Sequence, residues 1–167
     1  MNKAINTNNA PAAIGPYSQA IEANGMVFAS GQLPIDPATG NFAEGGIKEL
    51  TRQSLTNIKN ILEAAGTDMK HAVKMGVFLA DMADFAEMNE VYAEFFEAPF
   101  PARSAVAVKT LPKNARVEIE CLAAYRCNIL FKLLVCRFKK TVGKHLYILF
   151  ALSKRGNFKR KLVEPMI

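Results

Sequence analysis

Residues 115–124 read Ala-Arg-Val-Glu-Ile-Glu-Cys-Leu-Ala-Ala. Val117, Ile119 and Cys121 alternate with Glu118 and Glu120, so the apolar side chains share one face and both carboxylates the other. That is the period of a half-buried β-strand. Leu111-Pro112-Lys113-Asn114 separates it from a further strand near 103–109. Upstream the period changes. Asp84 is placed to open a helix, with Glu87 three residues on as its capping-box partner. Phe85, Met88, Tyr92, Phe95 and Phe96 form the apolar stripe of that helix, and Pro99 and Pro101 stop it. Residues 72–80 suit a buried strand. From Gly46 to Ala65, the side chains of Ile47, Leu50, Ile58, Ile61, Leu62 and Ala65 fall largely on one helical face, and Gly66 stands where a glycine ends a helix. Residues 18–23 and 26–30 flank Asn24-Gly25, a hairpin signal because both turn positions need positive φ. The turn-rich stretch 33–40 reads as a loop. The order of strands, helix, strand, helix and strands predicts an α+β unit.

The 167 residues are a one-domain length, half of them apolar and 22% charged, a composition able to bury a core. No apolar run approaches the ~18–20 residues of a membrane span, and residues 1–13 are polar, without the apolar centre of a secretory signal. Cys121, Cys127 and Cys136 are an odd number with no CxxC, which favours free thiols and a cytoplasmic setting. His71 and His145 are the two histidines, and their spacing to the cysteines matches no zinc pattern, so no metal site is expected.

The net charge of +6 divides unevenly. Residues 1–125 carry ten Lys and Arg against fourteen Asp and Glu, a net of −4; residues 126–167 carry eleven against Glu164 alone, a net of +10. Taken whole, the basicity would point to nucleic acid. Divided, it predicts an acidic domain over 1–125 and a basic C-terminal extension over 126–167.

Three segments could carry chemistry. In Phe100-Pro101-Ala102-Arg103-Ser104 an arginine follows a rigid X-Pro stretch at the mouth of a strand, and its planar fork suits a carboxylate or phosphate. The plainer reading is a surface arginine in a weak salt bridge. Glu118 is the second, although a strand glutamate can simply face solvent. Ile14-Gly15-Pro16-Tyr17-Ser18-Gln19 and Ala29-Ser30-Gly31-Gln32-Leu33-Pro34 could bring amides and hydroxyls to a ligand, or could be turns.

Together these segments resemble one family. Ile14–Gln19, Ser30–Pro34 with Pro37-x-Thr-Gly40, Asn89-x-x-Tyr92, Pro101-Ala-Arg-Ser104, Leu111-Pro-Lys113 and Val117-Glu-Ile-Glu120 are similar, in register over about residues 3–125, to the RidA (YjgF) family of enamine/imine deaminases. The resemblance implies a chorismate-mutase-like fold, a β-sheet packed on two helices. It also implies a homotrimer with a barrel-like centre and sites between subunits. It further implies hydrolysis of 2-aminoacrylate and 2-aminocrotonate, released by PLP enzymes, through their imine tautomers to 2-oxo acids and ammonia, with no metal or organic cofactor. Arg103 matches the carboxylate anchor and Glu118 the residue that orients or activates water. Tyr17, Ser30, Gly31 and Asn89 match pocket positions. Ala105 stands where many members carry Cys: if the backbone carbonyl there makes the contact with water or substrate, nothing is lost, and if a thiol mattered for regulation by oxidation, this chain lacks it.

The resemblance ends near Ala124. The extension has two short apolar runs, Ile129–Val135 and Leu146–Leu152, flanked by Lys and Arg. An accidental extension, an anchor for an anionic membrane and a nucleic-acid-binding tail are its competing readings. The rival function, implied by relatives of the same family, is an RNA-cleaving translation inhibitor or a chaperone-like binding protein.

Overall fold

The computed structural model describes residues 2–125; the predicted extension 126–167 lies outside the described residues. Six strands form one sheet: β1 (Lys3–Ile5), β2 (Ala20–Ala23), β3 (Met26–Gln32), β4 (Ala72–Leu79), β5 (Ala102–Ala107) and β6 (Val117–Ala124), in the order β1-β2-β3-β6-β4-β5. Two helices, α1 (Ile47–Ala64) and α2 (Phe85–Glu94), interrupt them. All pairings are antiparallel except β4 with β5, which run parallel because α2 carries the chain back between them.

The strand at 115–124 is central: β6 pairs with β3 on one side and β4 on the other. Its alternation is strict. Val117, Ile119, Cys121 and Ala123 are fully buried, while the residues between them are half-buried. The buried set packs with Met75, Val77 and Leu79 of β4, Leu55, Ile58, Ile61 and Leu62 of α1, and Met88 and Tyr92 of α2 in one cluster. Each fully buried Leu or Ile there contributes on the order of 1.5–3 kcal/mol. Two ion pairs on the outside of the helical layer, Lys48–Glu90 and Arg52–Glu94, join α1 to α2. Exposed pairs of this kind contribute about 1 kcal/mol or less.

Several expectations hold in detail. Asn24 and Gly25 have φ of 52° and 77°, as the tight hairpin between β2 and β3 requires. Gly66 has φ 86°; its N–H donates to the Glu63 carbonyl and that of Thr67 to the Leu62 carbonyl, the paired closure of a Schellman end. The start of α2 differs. Asp81 caps a 3₁₀ turn, Met82–Asp84, by accepting from the Ala83 N–H, and Asp84 makes no cap bond. Its carboxylate is taken instead by the Arg116 guanidinium, at 2.5 and 3.1 Å. β1, three residues long, was not expected; too short to show a period, it is held by pairing with β2.

Two buried amides fix the loops at one end of the sheet. Gln19 accepts from the Thr7 N–H and donates to the carbonyls of Thr7, Ala10 and Pro11. Asn57 of α1 donates to the carbonyls of Leu33 and Ile35. No helix among the described residues is long and apolar enough to cross a membrane.

Removing Gln19 leaves the buried Ala10 carbonyl and the part-buried Thr7 N–H, Thr7 carbonyl and Pro11 carbonyl without that partner. Gln19→Ala is expected to lower the unfolding free energy by about 2–4 kcal/mol, measured by urea denaturation at fixed protein concentration. Asn60→Ala, which loses one exposed bond to the Asn9 carbonyl, is expected to cost about 1 kcal/mol or less.

Candidate functional site

The first cavity, of about 480 Å³, is lined by Pro11, Ala12, Ile14, Tyr17, Ser30–Leu33, Ile35, Pro112, Lys113 and Glu118. The Gln19 and Asn57 amides hold two of its walls. Its floor is an irregularity in the β3–β6 ladder. Ala29 pairs with Cys121 and Gln32 with Ile119, so β3 carries one extra residue at Ser30-Gly31. The buried Gln32 side chain secures that bulge by donating to the Ser30 and Gly31 carbonyls. The Ser30 hydroxyl donates to the Ser18 carbonyl at 2.7 Å, which spends its proton and leaves oxygen lone pairs to accept from a ligand.

Glu118 lies directly over Gly31. A Cβ on Gly31 would meet the Glu118 carboxylate, 2.9 Å from its Cδ. Burial, reinforced by the charge of Glu120 on the same face, raises the Glu118 carboxyl above its ordinary value. Lys113 brings a cation to the rim. It and Asn114 both take left-handed backbone conformations, φ 55° and 54°, which cost of order 1–2 kcal/mol each and belong to the turn that carries Lys113 to the cavity.

The second cavity, of about 350 Å³, is lined by Asn89, Tyr92, Ala93, Phe100, Pro101 and Arg103. Asn89, Tyr92 and Ala93 lie at i, i+3 and i+4 on one face of α2. The Arg103 guanidinium carbon sits 4.5 Å from the Tyr92 ring centroid and 5.6 Å from that of Phe85. Burial pushes the Tyr92 hydroxyl up to about 12, so it is protonated at neutral pH. The hydroxyl is itself buried and has no hydrogen-bond partner among the described residues. Among the described residues Arg103 forms no ion pair, and its guanidinium donates to no protein acceptor.

The expected site residues are therefore divided. Tyr17, Ser30, Gly31 and Glu118 come together in the first cavity, Asn89 and Arg103 in the second. Ladder register explains the division. Arg103 pairs with buried Met75 and Ala105 with buried Val77, so both point to the helical side of the sheet. Glu118 pairs with Phe78, whose neighbour on β5 is Val106, so it points to the opposite side. Within one chain Arg103 and Glu118 lie on opposite faces. Ala105 packs against the core and lines neither cavity. Lys113, Phe85 and Tyr92 were not singled out as site residues from sequence. The i, i+3 spacing of Asn89 and Tyr92 was the available signal for the last. Cys121 is buried, which lifts its thiol to about 12 and keeps it protonated. Among the described residues no three His, Cys, Asp or Glu side chains converge to hold a metal ion.

The family model described as Endoribonuclease L-PSP matches residues 7–125. A RutC family protein of Pyrococcus horikoshii, PH0854, is 56% identical over 123 residues, 74% of this chain and 98% of its own length. The 2-iminobutanoate/2-iminopropanoate deaminase of Bos taurus is 52% identical over 121 residues, 72% of this chain and 88% of its own. Among solved structures, E. coli TdcF with bound serine superposes with a TM-score of 0.70 at 46% identity, covering 73% of this chain and 98% of that one.

The raised Glu118 carboxyl fixes the sign of a pH effect. The folded state holds this proton more tightly than the unfolded chain does, so the group costs stability once it is ionised. Glu118→Gln is expected to be more stable than the parent at pH 7. Thermal melts should show the gap closing as pH falls below the ordinary carboxylate range near ~4.3; a gap that widens in acid would contradict the assignment.

Proposed function

We propose, from the premise that the chain belongs to the endoribonuclease L-PSP family, that it hydrolyses small 2-imino acids to 2-oxo acids and ammonia. The observation that carries the reading is Arg103: a guanidinium at a cavity of small-molecule size, its N–H donors given to no protein acceptor among the described residues. Such a group is a fork for one carboxylate. Relatives at about half identity, from Bos taurus and Salmonella typhimurium, are named 2-iminobutanoate/2-iminopropanoate deaminase. The serine bound to TdcF is itself a small amino acid with a carboxylate.

The substrates are 2-aminoacrylate and 2-aminocrotonate in their imine forms. Arg103 holds the carboxylate. Glu118, its carboxyl raised by burial and by the charge of Glu120, accepts a proton from water as the water oxygen bonds to the imine carbon. Glu118 returns that proton to the imine nitrogen, giving a carbinolamine. It then takes the hydroxyl proton and passes it to the amine, the C–N bond breaks as the C=O bond forms, and ammonia leaves a 2-oxo acid. The imine hydrolyses unaided in water, so orientation supplies much of what the barrier needs. Tyr17, Ser30 and Asn89 line the cavities and offer polar groups around the reacting atoms.

Because Arg103 and Glu118 face opposite ways in one chain, the reading requires two copies. The Tyr17–Glu118 cavity of one copy meets the Asn89–Arg103 cavity of its neighbour, and a closed ring of three such contacts makes a homotrimer with three sites. The sheet face away from the helices carries Phe28 and Val106 at 43% and 47% exposure, apolar surface that such an assembly covers. The net charge of −4 over residues 1–125 disfavours a phosphate backbone as ligand.

A coupled assay tests the reading. A serine or threonine dehydratase generates the imine, and 2-oxo acid formation is followed with and without the full chain. Arg103→Ala and Glu118→Gln are each expected to lower kcat/KM by about 10²-fold or more. Mixed assemblies of the two variants should recover about a quarter of the parental activity, since one neighbour pair in four joins an intact Arg103 to an intact Glu118; no recovery would remove the shared site. Gly31→Ala pushes the Glu118 carboxylate aside and is expected to lower kcat about tenfold or more, with the thermal midpoint checking that the fold survives.

A further inference from the structure

We propose that Phe85 and Tyr92 are positioning residues for Arg103, their ring faces holding the guanidinium so that its N–H edge stays free and turned toward the carboxylate of a small 2-imino or 2-oxo acid. The inference rests on the reading of Arg103 as the carboxylate anchor.

An arginine side chain is long and has several rotatable bonds, so an anchoring arginine needs something to hold it. The usual holder is a carboxylate. A carboxylate would occupy the same in-plane N–H donors that the ligand needs, and binding would become an exchange of one anion for another. Arg103 has no such partner among the described residues, although fourteen Asp and Glu lie in residues 1–125. What it has are two rings. The Tyr92 centroid at 4.5 Å and the Phe85 centroid at 5.6 Å are both within the ~6 Å reach of a cation–π contact. A guanidinium stacked on a ring face keeps its edge unspent, and among the described residues no Arg103 side-chain N–H is given to a protein acceptor.

The rings are placed by the helix. Phe85, Asn89 and Tyr92 lie at i, i+4 and i+7, two turns of one face of α2. Tyr92 is fixed in turn: it is 5% exposed and its ring packs at 4.5 Å on Phe96. Its hydroxyl has no hydrogen-bond partner among the described residues and is closed off from solvent. The ring, not the hydroxyl, therefore does the holding, and phenylalanine should replace it.

The test compares the full-length parent with Tyr92→Phe, Tyr92→Leu and Phe85→Leu. Three quantities are read: KM and kcat in the coupled assay, the Kd for 2-oxobutanoate, and the ring-current-shifted Nε–H resonance of Arg103 by ¹⁵N NMR. Tyr92→Phe is expected to stay within about twofold of the parent throughout. Tyr92→Leu and Phe85→Leu are expected to raise KM and Kd by roughly 3- to 30-fold, with kcat changed by less than about threefold and the resonance moved toward its unshifted position. Phe85 is only half-buried, so its variant keeps the test valid if Tyr92→Leu does not fold. Parental Kd in the folded leucine variants overturns the proposal, as does a Tyr92→Phe protein as weak as Tyr92→Leu, which would assign the effect to the hydroxyl. A parent that binds 2-oxobutanoate and loses affinity in the leucine variants, yet turns over no imine, leaves the ring seat standing and removes the deaminase reading. A parent that binds no 2-oxo acid removes both.

Discussion

The register of β6 between β3 and β4 is the constraint on which the rest depends. Its inward residues, Val117, Ile119, Cys121 and Ala123, complete the core; its outward residues include Glu118 and Glu120. A slip by one residue would exchange the sets and drive two carboxylates into an apolar layer. An unpaired buried charge costs far more than any single apolar contact returns, so the strand has one acceptable register. The neighbouring strands are cut to fit it. Gly31 on β3 and Gly76 on β4 leave open the space that the Glu118 and Glu120 carboxylates fill, and a Cβ at either would collide with them.

That register also decides what one chain can do alone. β5 takes its alignment from β4, and the pairing of Arg103 with Met75 turns the guanidinium to the helical side. Glu118, opposite Phe78, is turned the other way. A positive group and a proton acceptor are thus built into separate cavities of one fold. In the proposed assembly the surfaces that meet carry opposite charges at their reacting groups, and electrostatic complementarity of this kind guides register between partners as much as it adds affinity.

Much of the fold was legible because its signals are local. Asn24-Gly25 dictates a hairpin by sterics, Gly66 ends α1 by its φ, and the alternation at 117–121 depends only on the period of a strand. What escaped depends on contacts distant in sequence. Asp84 reads as a helix cap until Arg116 takes its carboxylate. β1 has three residues and exists through its partner. The bulge at Ser30-Gly31, which brings Gly31 under Glu118, leaves no mark in the period of β3. The candidate site divides the same way. Arg103 and Glu118 stand out by residue type and motif, but their opposite orientation follows from ladder alignment, which no single strand contains. Phe85 and Tyr92 read as part of an apolar stripe, since helical spacing cannot distinguish a ring packed on aliphatic carbon from one that carries a guanidinium.

The division between rigid and unspent groups ties these points together. Around the first cavity the amides of Gln19, Gln32 and Asn57 are committed to backbone carbonyls, and the Ser30 proton to Ser18. These bonds hold the walls and leave little that could rearrange around a ligand. In contrast, the Arg103 donors and the Glu118 carboxylate are given to no protein partner among the described residues. A site that spent its polar groups on itself would have to break bonds in order to bind, and each would be deducted from affinity. Here the committed groups fix geometry and the free groups face the cavities. For the proposed imine substrate, which already reacts with water and needs chiefly to be held still, that is the arrangement in which positioning does the most.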